Sequence, residues 1–443
     1  MNRPTLNAVM NALSVALALG FTATASAQNL TQLVNDAKKY DAGLQSAQIA
    51  FDAAKLRIEQ SRSGERPSAS LSAGASRSNS DVYPGAFDRS TARQGATVNG
   101  SYPLWRPANK VSITQAERSA EVARINLTTV EQDLVVRVSA AYFDVLAAED
   151  AMTFVRAQKA AVAEQLASAK RNFEVGTSTI TDSREAQARF DLVIAQEIAA
   201  ENDLRVKRAN LDQLTGVPNS KPQGLVAGAV LPNPVHSDVA AWLAATEDNH
   251  PGIQQSRVGL DLAKLETEKA KLAERPTVDL TGSYDVSFNY GSTGTSGTPH
   301  SRSYGVGVSL NMPLFTGGAT QNRIKETLAL EEKARADLDV VRRTVATGVR
   351  TAFFGVVSGL GQVKALEAAE ASSQSALDAN KLGYQVGVRI NIDVLNSQSQ
   401  LFQTKRDLAK ARYDVIVGGL RLRQANGSLQ MADVEAVNTL IKK

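Results

Sequence analysis

The sequence contains no cysteine and has few aromatic residues. Without cysteine the chain can form no disulfide and no thiolate metal site, and it offers no thiol for lipid attachment at a mature N-terminus. Phe, Trp and Tyr together make up 5% of the 443 residues, whereas hydrophobic residues as a whole make up 43%. This composition argues against a bulky aromatic core and is typical of long helices packed side by side.

The sequence also lacks an excess of charge of one sign. The 49 basic and 45 acidic residues are spread along the chain and give a net charge of +4. A nucleic-acid-binding surface would need a cluster of lysine and arginine facing the phosphates, and no such cluster is present. We therefore expect no nucleic-acid partner.

Long apolar runs are missing beyond the N-terminus. There, Arg3 precedes an apolar run at residues 12–21, and three small residues end at Ala27. This order is that of a secretory signal peptide, so we predict that residues 1–27 are removed before Gln28. A membrane anchor is the alternative, but the run is shorter than the roughly 20 residues that a spanning helix needs. Since no later segment is long and apolar, a membrane role would require strands closed into a β-barrel.

An internal repeat organises the rest of the chain. Residues 65–67 and 274–276 both read Glu-Arg-Pro, at an offset of 209 positions. Tyr102–Trp105 matches Met312–Phe315 at an offset of 210, and the Val-Gly pair that ends at Gly176 recurs at Gly387 at an offset of 211. Matches that keep one order with so small a drift indicate a duplication.

The duplication divides the mature chain into two copies and a linker. We assign residues 28–216 to the first copy and residues 239–443 to the second. Residues 217–238, which are rich in Pro and Gly, form the linker between them.

Each copy contains two segments in which apolar and polar residues alternate. This is the pattern of β-strands with one apolar and one polar face. The four predicted strands span residues 68–77, 94–102, 277–290 and 302–312. Most of them match the length of about 9 to 11 residues with which a strand crosses a bilayer.

The remaining segments show apolar residues at helical spacing. In the first copy the predicted helices span residues 30–62, from after Pro103 to Glu174, and 182–214. In the second copy they span residues 239–273, from after Pro313 to Gln385, and 393–424. The longest of these would extend on the order of 100 Å at 1.5 Å per residue.

The predicted fold class is mainly α with membrane β-hairpins, built from a duplicated helix-hairpin-helix unit. Four strands cannot close a barrel, and an open sheet edge in lipid leaves backbone groups unpaired. The membrane interpretation therefore requires several chains. Three chains would supply twelve strands, for a 12-stranded β-barrel on a long α-helical barrel. One alternative is a small soluble β-layer packed on the helices. Another is a periplasmic coiled-coil scaffold or adaptor without a membrane barrel.

The repeat, the hairpins, the long helices and the turn sequences Phe173–Gly176 and Tyr384–Gly387 together resemble the TolC family of outer-membrane efflux proteins. The resemblance covers essentially the whole mature chain. Its most specific stretch is Tyr384–Gln400, within which Val386–Leu395 is similar to TolC itself. The family implies a homotrimer in the outer membrane that spans into the periplasm.

The same resemblance implies a passive channel-tunnel in a tripartite export system for drug efflux or type I protein secretion. Its expected partners are a periplasmic adaptor, an inner-membrane transporter of the ABC or RND type, and outer-membrane lipid. It implies no enzymatic activity and no cofactor.

The resemblance also implies an acidic ring at the periplasmic entrance. Asp393 matches the first of two acidic residues that narrow this entrance, whereas Asn396 stands where TolC carries the second. A ring with a single tier of carboxylates should select cations more weakly than a double one. An ordinary helix N-cap is the alternative for Asp393, supported by Asp182 at the equivalent place in the first copy.

Four residues match positions that hold the entrance closed in TolC: Arg389, Tyr384, Thr181 and Asp182. Exposed ion pairs contribute about 0 to 1 kcal/mol each, which suits a latch that a partner must release. The alternative is that these are unrelated polar surface residues. The turns at Gly176 and Gly387 are expected to contact the adaptor.

Four aromatic residues lie at the predicted strand ends: Tyr102, Trp105, Tyr290 and Phe315. Aromatic girdles anchor barrels at the lipid interface from such positions. Packing between strand and helix is the alternative for Trp105 and Phe315.

The three histidines give no indication of a metal site. His236, His250 and His300 lie far apart and lack the spacing of metal ligands. The sequence also contains no phosphate-binding loop and no nucleophile motif, so we expect no catalytic residues.

Overall fold

The computed structural model describes residues 28–82, 87–226, 228–291 and 300–441. The predicted signal peptide lies outside the described residues, as do residues 83–86 and 292–299, which connect the strands of the two hairpins. Among the described residues, no helix is both long enough and apolar enough to cross a membrane.

The same order of elements occurs twice along the chain. The first copy contains α1 (Leu30–Tyr40), α2 (Ala42–Arg62), β1 (Ser68–Val82), β2 (Phe87–Trp105), α3 (Pro107–Glu174) and α4 (Ile180–Thr215). The second contains α5 (Val239–Asn249), α6 (Pro251–Leu272), β3 (Thr277–Gly291), β4 (His300–Asn311), α7 (Ala319–Gln385) and α8 (Asn391–Asn426), followed by α9 (Met431–Asn438). The predicted fold class, mainly helical with two β-hairpins, is confirmed.

The first helix of each copy, predicted as continuous, is broken once. The breaks fall at Asp41 and at His250, which are equivalent positions in the repeat. Asp41 Oδ1 accepts a hydrogen bond from the backbone N–H of Leu44 at 2.7 Å, and His250 Nδ1 accepts one from Gly252 at 3.0 Å. Each side chain therefore caps the helix that follows, and Pro251 also disfavours a helical conformation at the residue before it. The prediction of unbroken helices was wrong at both positions.

The first hairpin is longer than predicted. Residues 78–93, rich in Ser, Asp and Arg, resemble a loop in sequence, yet the ladder between β1 and β2 continues until Val82 lies opposite Phe87. At the other end, β2 extends through Pro103 to Trp105, so α3 begins at Pro107. The second hairpin differs from its prediction by at most two residues at each end, and the C-terminal helix α9 was not predicted.

The strands belong to one of two compact units. This sheet unit comprises Gln45–Val130 and Glu247–Ala346. It contains one antiparallel sheet in the order β1-β2-β3-β4. The central joint between β2 and β3 places Tyr102 opposite Leu280.

An ion pair reinforces this joint where β2 ends. Arg106 Nε and Nη2 each donate to a carboxylate oxygen of Asp279 at 2.7 Å. Bidentate arginine–carboxylate pairs are geometrically specific. The pair therefore favours one register between the two hairpins.

The other unit, the helical unit, comprises the residues up to Leu44, Glu131–Thr246 and those from Thr347 onward. Its main core contains Tyr142 and Phe143 of α3, and the Phe143 ring stacks on Tyr413 of α8 with ring centroids 5.7 Å apart. The Tyr142 hydroxyl donates to the Gln223 carbonyl at 2.8 Å and accepts from the Gln223 N–H at 2.9 Å. These bonds attach the linker to the core. Burial raises the pKa of the Tyr142 hydroxyl and of the Tyr413 hydroxyl.

Helices α7 and α8 approach closely where each carries a glycine. A Cβ atom added to Gly359 would lie 2.8 Å from Val415 Cγ2, and one added to Gly418 would lie 3.4 Å from Val356 Cγ2. By contrast, a Cβ at Gly361 would meet no atom within 4 Å. The spacing of the two helices therefore depends on the missing side chain at Gly359.

We expect Gly359→Ala to lower the free energy of unfolding of the helical unit by about 1 kcal/mol. Overpacking against the stiff Val415 costs about 1–3 kcal/mol, which exceeds the gain of about 1 kcal/mol from replacing glycine in a helix. Gly361→Ala is the matched control and should leave stability unchanged or raise it. Urea unfolding followed by circular dichroism measures both, and equal stability of the two variants would contradict the close approach.

Candidate functional site

Two helical pairs of the helical unit end in turns of the same design. The first pair is α3 and α4, and the second is α7 and α8. Gly176 has φ of 78° and Gly387 has φ of 80°, the left-handed conformation that favours glycine. A Cβ at either glycine would meet no atom within 4 Å, so the backbone conformation, not crowding, accounts for glycine there.

The turns expose apolar side chains. Val175, Val386, Val388 and Ile390 are all more than 60% exposed. Such side chains close together at the ends of helical pairs form a surface that another protein can cover.

Asn391, the first residue of α8, links the two helical pairs. Its side chain is fully buried. Its Oδ1 accepts a hydrogen bond from Gln165 Nε2 of α3, and its Nδ2 donates to the backbone carbonyl of Asp182 in α4 at 3.3 Å. One side chain thus bonds to both helices of the first pair.

Two more hydrogen bonds join the pairs. Asn172 Nδ2 donates to the Tyr384 hydroxyl at 3.3 Å, and Arg189 Nη2 donates to Asn396 Oδ1 at 2.7 Å. Tyr384 of the predicted latch therefore does contact the other pair, through Asn172. Asn396 also contacts the first pair, because its side-chain oxygen accepts the hydrogen bond from the Arg189 guanidinium.

Asp182 has a local role at the start of α4. Its carboxylate accepts hydrogen bonds from the Ser178 hydroxyl at 2.7 Å and from the Thr179 N–H at 3.1 Å, and Thr179 Oγ1 accepts one from the Asp182 N–H. This reciprocal capping box stabilises the first turn of the helix. The hydrogen bond from Ser178, followed by those from Thr179, lowers the pKa of the Asp182 carboxyl. Thr181 beside it is exposed.

Asp393 occupies the equivalent position in the second copy but has a different partner. The N-cap of α8 is Ile390, which has no side-chain acceptor, so the structure does not place Asp393 in a capping role. Asp393 Oδ2 instead lies 3.7 Å from Arg389 Nη1, with side-chain exposures of 34% and 59%. The Arg389 stem lies over Gly383, where a Cβ would be 2.7 Å from Arg389 Cγ.

The aromatic residues are exposed at both ends of the sheet. Tyr102, Trp105 and Phe315 lie at or beyond the ends of β2 and β4 nearest the helices, and Tyr290 lies near the opposite end of β3. All four side chains are at least 40% exposed.

The three histidines lie in three different surroundings. His236 contacts Trp242 edge-on, burial lowers the pKa of His250, and His300 begins β4. Within the described ranges, no group of three or more His, Asp or Glu side chains is arranged to hold a metal ion.

Asn391, the buried residue that bonds to both helices of the first pair, was not predicted from the sequence. A signal was available, because Asn391 lies between two isoleucines and corresponds to Ile180 in the first copy at the offset of 211. A polar residue at an otherwise apolar repeat position indicates a specific partner. Gln165, Asn172 and Arg189 have no comparable signal.

Comparison with known proteins places both copies in one family. The family model described as outer membrane efflux protein matches residues 33–217 and 242–428. The chain is 35% identical to outer membrane protein TolC of Vibrio cholerae, over 97% of this chain and 98% of that protein. It is 31% identical to outer membrane protein TolC of Escherichia coli, over 96% and 87%. The crystal structure of the outer membrane protein VceC from Vibrio cholerae has a similar fold, with a TM-score of 0.74 at 17% identity, covering 90% of this chain and 96% of VceC.

We expect Asn391→Ala to loosen the turns. The substitution leaves the partly buried Gln165 amide and Asp182 carbonyl without their partner, a loss of about 1 kcal/mol for each hydrogen bond. Hydrogen–deuterium exchange should therefore rise in both turn segments, residues 172–182 and 384–391. Asn396→Ala, which removes an exposed bond, is the control and should change exchange far less. Equal exchange in the two variants would contradict the central role of Asn391.

Proposed function

The chain belongs to the family of outer membrane efflux proteins, and from this membership we propose that three copies assemble into one passive channel. The channel lies in the outer membrane, extends into the periplasm and serves efflux or type I secretion. The observation that supports the assembly most directly is the sheet, in which the described part of the chain forms four strands and leaves one edge of β1 and one edge of β4 unpaired. Free edges in lipid leave backbone donors and acceptors unpaired, and only closure removes them.

The two faces of the sheet differ as a lipid boundary requires. Exposed apolar side chains follow one face of the second hairpin: Tyr284, Phe288, Tyr304, Val306, Val308 and Leu310. On the other face, Thr97 Oγ1 donates to Asp285 Oδ2 at 2.6 Å across the joint between the hairpins. An apolar stripe of this kind is unfavourable in water and favourable in lipid, whereas the polar face suits a water-filled lumen.

The four exposed aromatic residues fit the same arrangement. Tyr102, Trp105 and Phe315 at one end of the sheet and Tyr290 at the other would lie at the two interfaces of the membrane. Each ring can then keep its apolar surface in lipid and its polar atom, where present, in the headgroup region.

We assign the entrance of the channel to the turns of the two helical pairs. Asn391, Tyr384 and Arg389 would hold the turns in the closed arrangement, the first two through bonds to the first pair. Asp393 would face the axis, so that three subunits form one ring of carboxylates. Because Asn396 is neutral and bonds Arg189, the ring has one tier and should select cations only mildly.

The exposed valines beside Gly176 and Gly387 offer the surface for a periplasmic adaptor. Binding there could compensate for the loss of the weak contacts that hold the turns. The transporter in the inner membrane, of the ABC or RND type, would supply the energy. The relatives are channel proteins and not enzymes, and we assign no catalytic residue and no cofactor to this chain.

We expect Arg389→Ser to raise the conductance of the channel in planar lipid bilayers. The substitution removes the ion pair with Asp393 and frees the second turn. Arg205→Ser is a matched control, because Arg205 is also exposed and pairs with Glu201 four residues away, but it lies in the middle of α4. Unchanged conductance in Arg389→Ser, or an equal rise in Arg205→Ser, would refute the latch.

Membrane extraction distinguishes the channel from a periplasmic scaffold. The mature protein should leave the outer membrane only with detergent and should migrate on gels as an oligomer that heating dissociates. Recovery of a soluble monomer from the periplasm would refute the channel and favour the scaffold.

A further inference from the structure

The joint between the two hairpins connects the first copy to the second. Along it, β2 of the first copy runs antiparallel to β3 of the second, with Thr91 opposite Gly291 and Tyr102 opposite Leu280. A repeat protein that closes into a ring must contain a second joint, which connects the second copy to the first copy of another chain. The strands that would form it are the two edge strands, β4 and β1.

We infer that β4 of one subunit pairs with β1 of the next in the register that the internal joint prescribes. The offset of the repeat is 209 at the start of β1 and β3 and 210 at the end of β2 and β4. Leu280 therefore corresponds to Leu71, and Tyr102 corresponds to Met312. The pair Tyr102–Leu280 becomes Met312 opposite Leu71 of the next subunit. This inference rests on the proposed channel and adds its subunit contact, residue by residue.

The side chains fit this register. Along the ladder, Asn311 would lie opposite Ser72, Leu310 opposite Ala73 and Val308 opposite Ala75, so in this half of the joint apolar residues meet on one face and polar residues on the other. Farther along, Val306 would lie opposite Arg77. A slip of one residue would place Leu310 opposite Ser72 and would mix the faces. A slip of two residues would keep the faces, and only the correspondence with the internal joint excludes it.

The new joint should be weaker than the internal one. The residues that correspond to Arg106 and Asp279 are Thr316 and Ser70. The bidentate ion pair that reinforces the internal joint therefore has no counterpart between subunits. Backbone pairing and the apolar face would hold the subunits together.

The helical unit independently indicates that a second copy of this chain covers its second repeat. Phe143 of the first copy is 1% exposed because it stacks on α8, whereas Phe354, its counterpart in the second copy, is 57% exposed. The element that corresponds to α8 is α4 of the first copy. The α4 helix of the same chain does not cover Phe354, which stays 57% exposed. The α4 helix of a neighbouring chain can do so.

Disulfide trapping tests the register, because the chain has no cysteine of its own. A tagged Ser72→Cys chain and an untagged Asn311→Cys chain are produced together, and outer membranes are oxidised with copper phenanthroline. Directly opposite residues lie about 4.5–5.5 Å apart at Cα, within the range for a disulfide, whereas diagonal neighbours lie about 7–8 Å apart. We expect a covalent dimer of one tagged and one untagged chain that reductant separates.

Two shifted combinations serve as controls, Ser72→Cys with Ser309→Cys and Gly74→Cys with Asn311→Cys. Each should yield about tenfold less dimer than the matched combination. Ala73→Cys with Leu310→Cys repeats the matched test on the opposite face. As an assembly control, a sample of each combination is run on a gel without oxidation, where it should show the heat-dissociable oligomer.

The outcomes separate the two proposals. More covalent dimer in a shifted combination than in the matched one overturns the register. So does the absence of dimer in both matched combinations, provided that the unsubstituted chain forms its heat-dissociable oligomer. Either result leaves the proposed channel intact. A soluble, monomeric unsubstituted chain overturns both.

Discussion

The pairing of backbone groups at the two edges of the sheet is the constraint on which the rest of this protein depends. One chain supplies four strands, and β1 and β4 remain at the edges. In water such edges can bond to solvent, but in lipid they cannot. In the proposed channel, the apolar face can enter a membrane only when the chain joins with other copies, because one chain leaves two strand edges to be paired.

The two copies differ at residues through which they contact each other. Within one chain, polar side chains of the second copy reach the first: Asn391 bonds Gln165 and Asp182, and Tyr384 bonds Asn172. The corresponding residues in the first copy, Ile180 and Phe173, are apolar. The seam inside a chain is thus specified by partly buried hydrogen bonds, which require one geometry. In the proposed channel, the seam between chains would rely on apolar contact and on strand pairing.

Several elements could be predicted because their signals are local. The strand alternation in residues 277–290 and the glycines at 176 and 387 depend only on nearby residues, and the observed strand and turns lie where the sequence places them. The breaks at Asp41 and His250 are also local, but they require a side chain to cap a helix within a pattern that is otherwise continuous. The extension of the first hairpin to Val82 was missed because its residues are polar, and backbone pairing does not depend on side-chain polarity.

By itself the sequence determined the duplication, the number of strands, the family and the positions of the turns, since periodicity and repeats are properties of residue order. Tertiary structure alone decided which side chains meet across the two helical pairs. Asp393 and Asp182 are equivalent in the repeat, yet Asp182 completes a capping box with Thr179, whereas Asp393 pairs with Arg389. Ile390, which stands in place of Thr179, has no hydroxyl for a capping box, but only the folded turn places Arg389 within reach of Asp393. Asn391 gained its role from burial between helices more than 200 residues apart in the chain, a distance that no local pattern encodes.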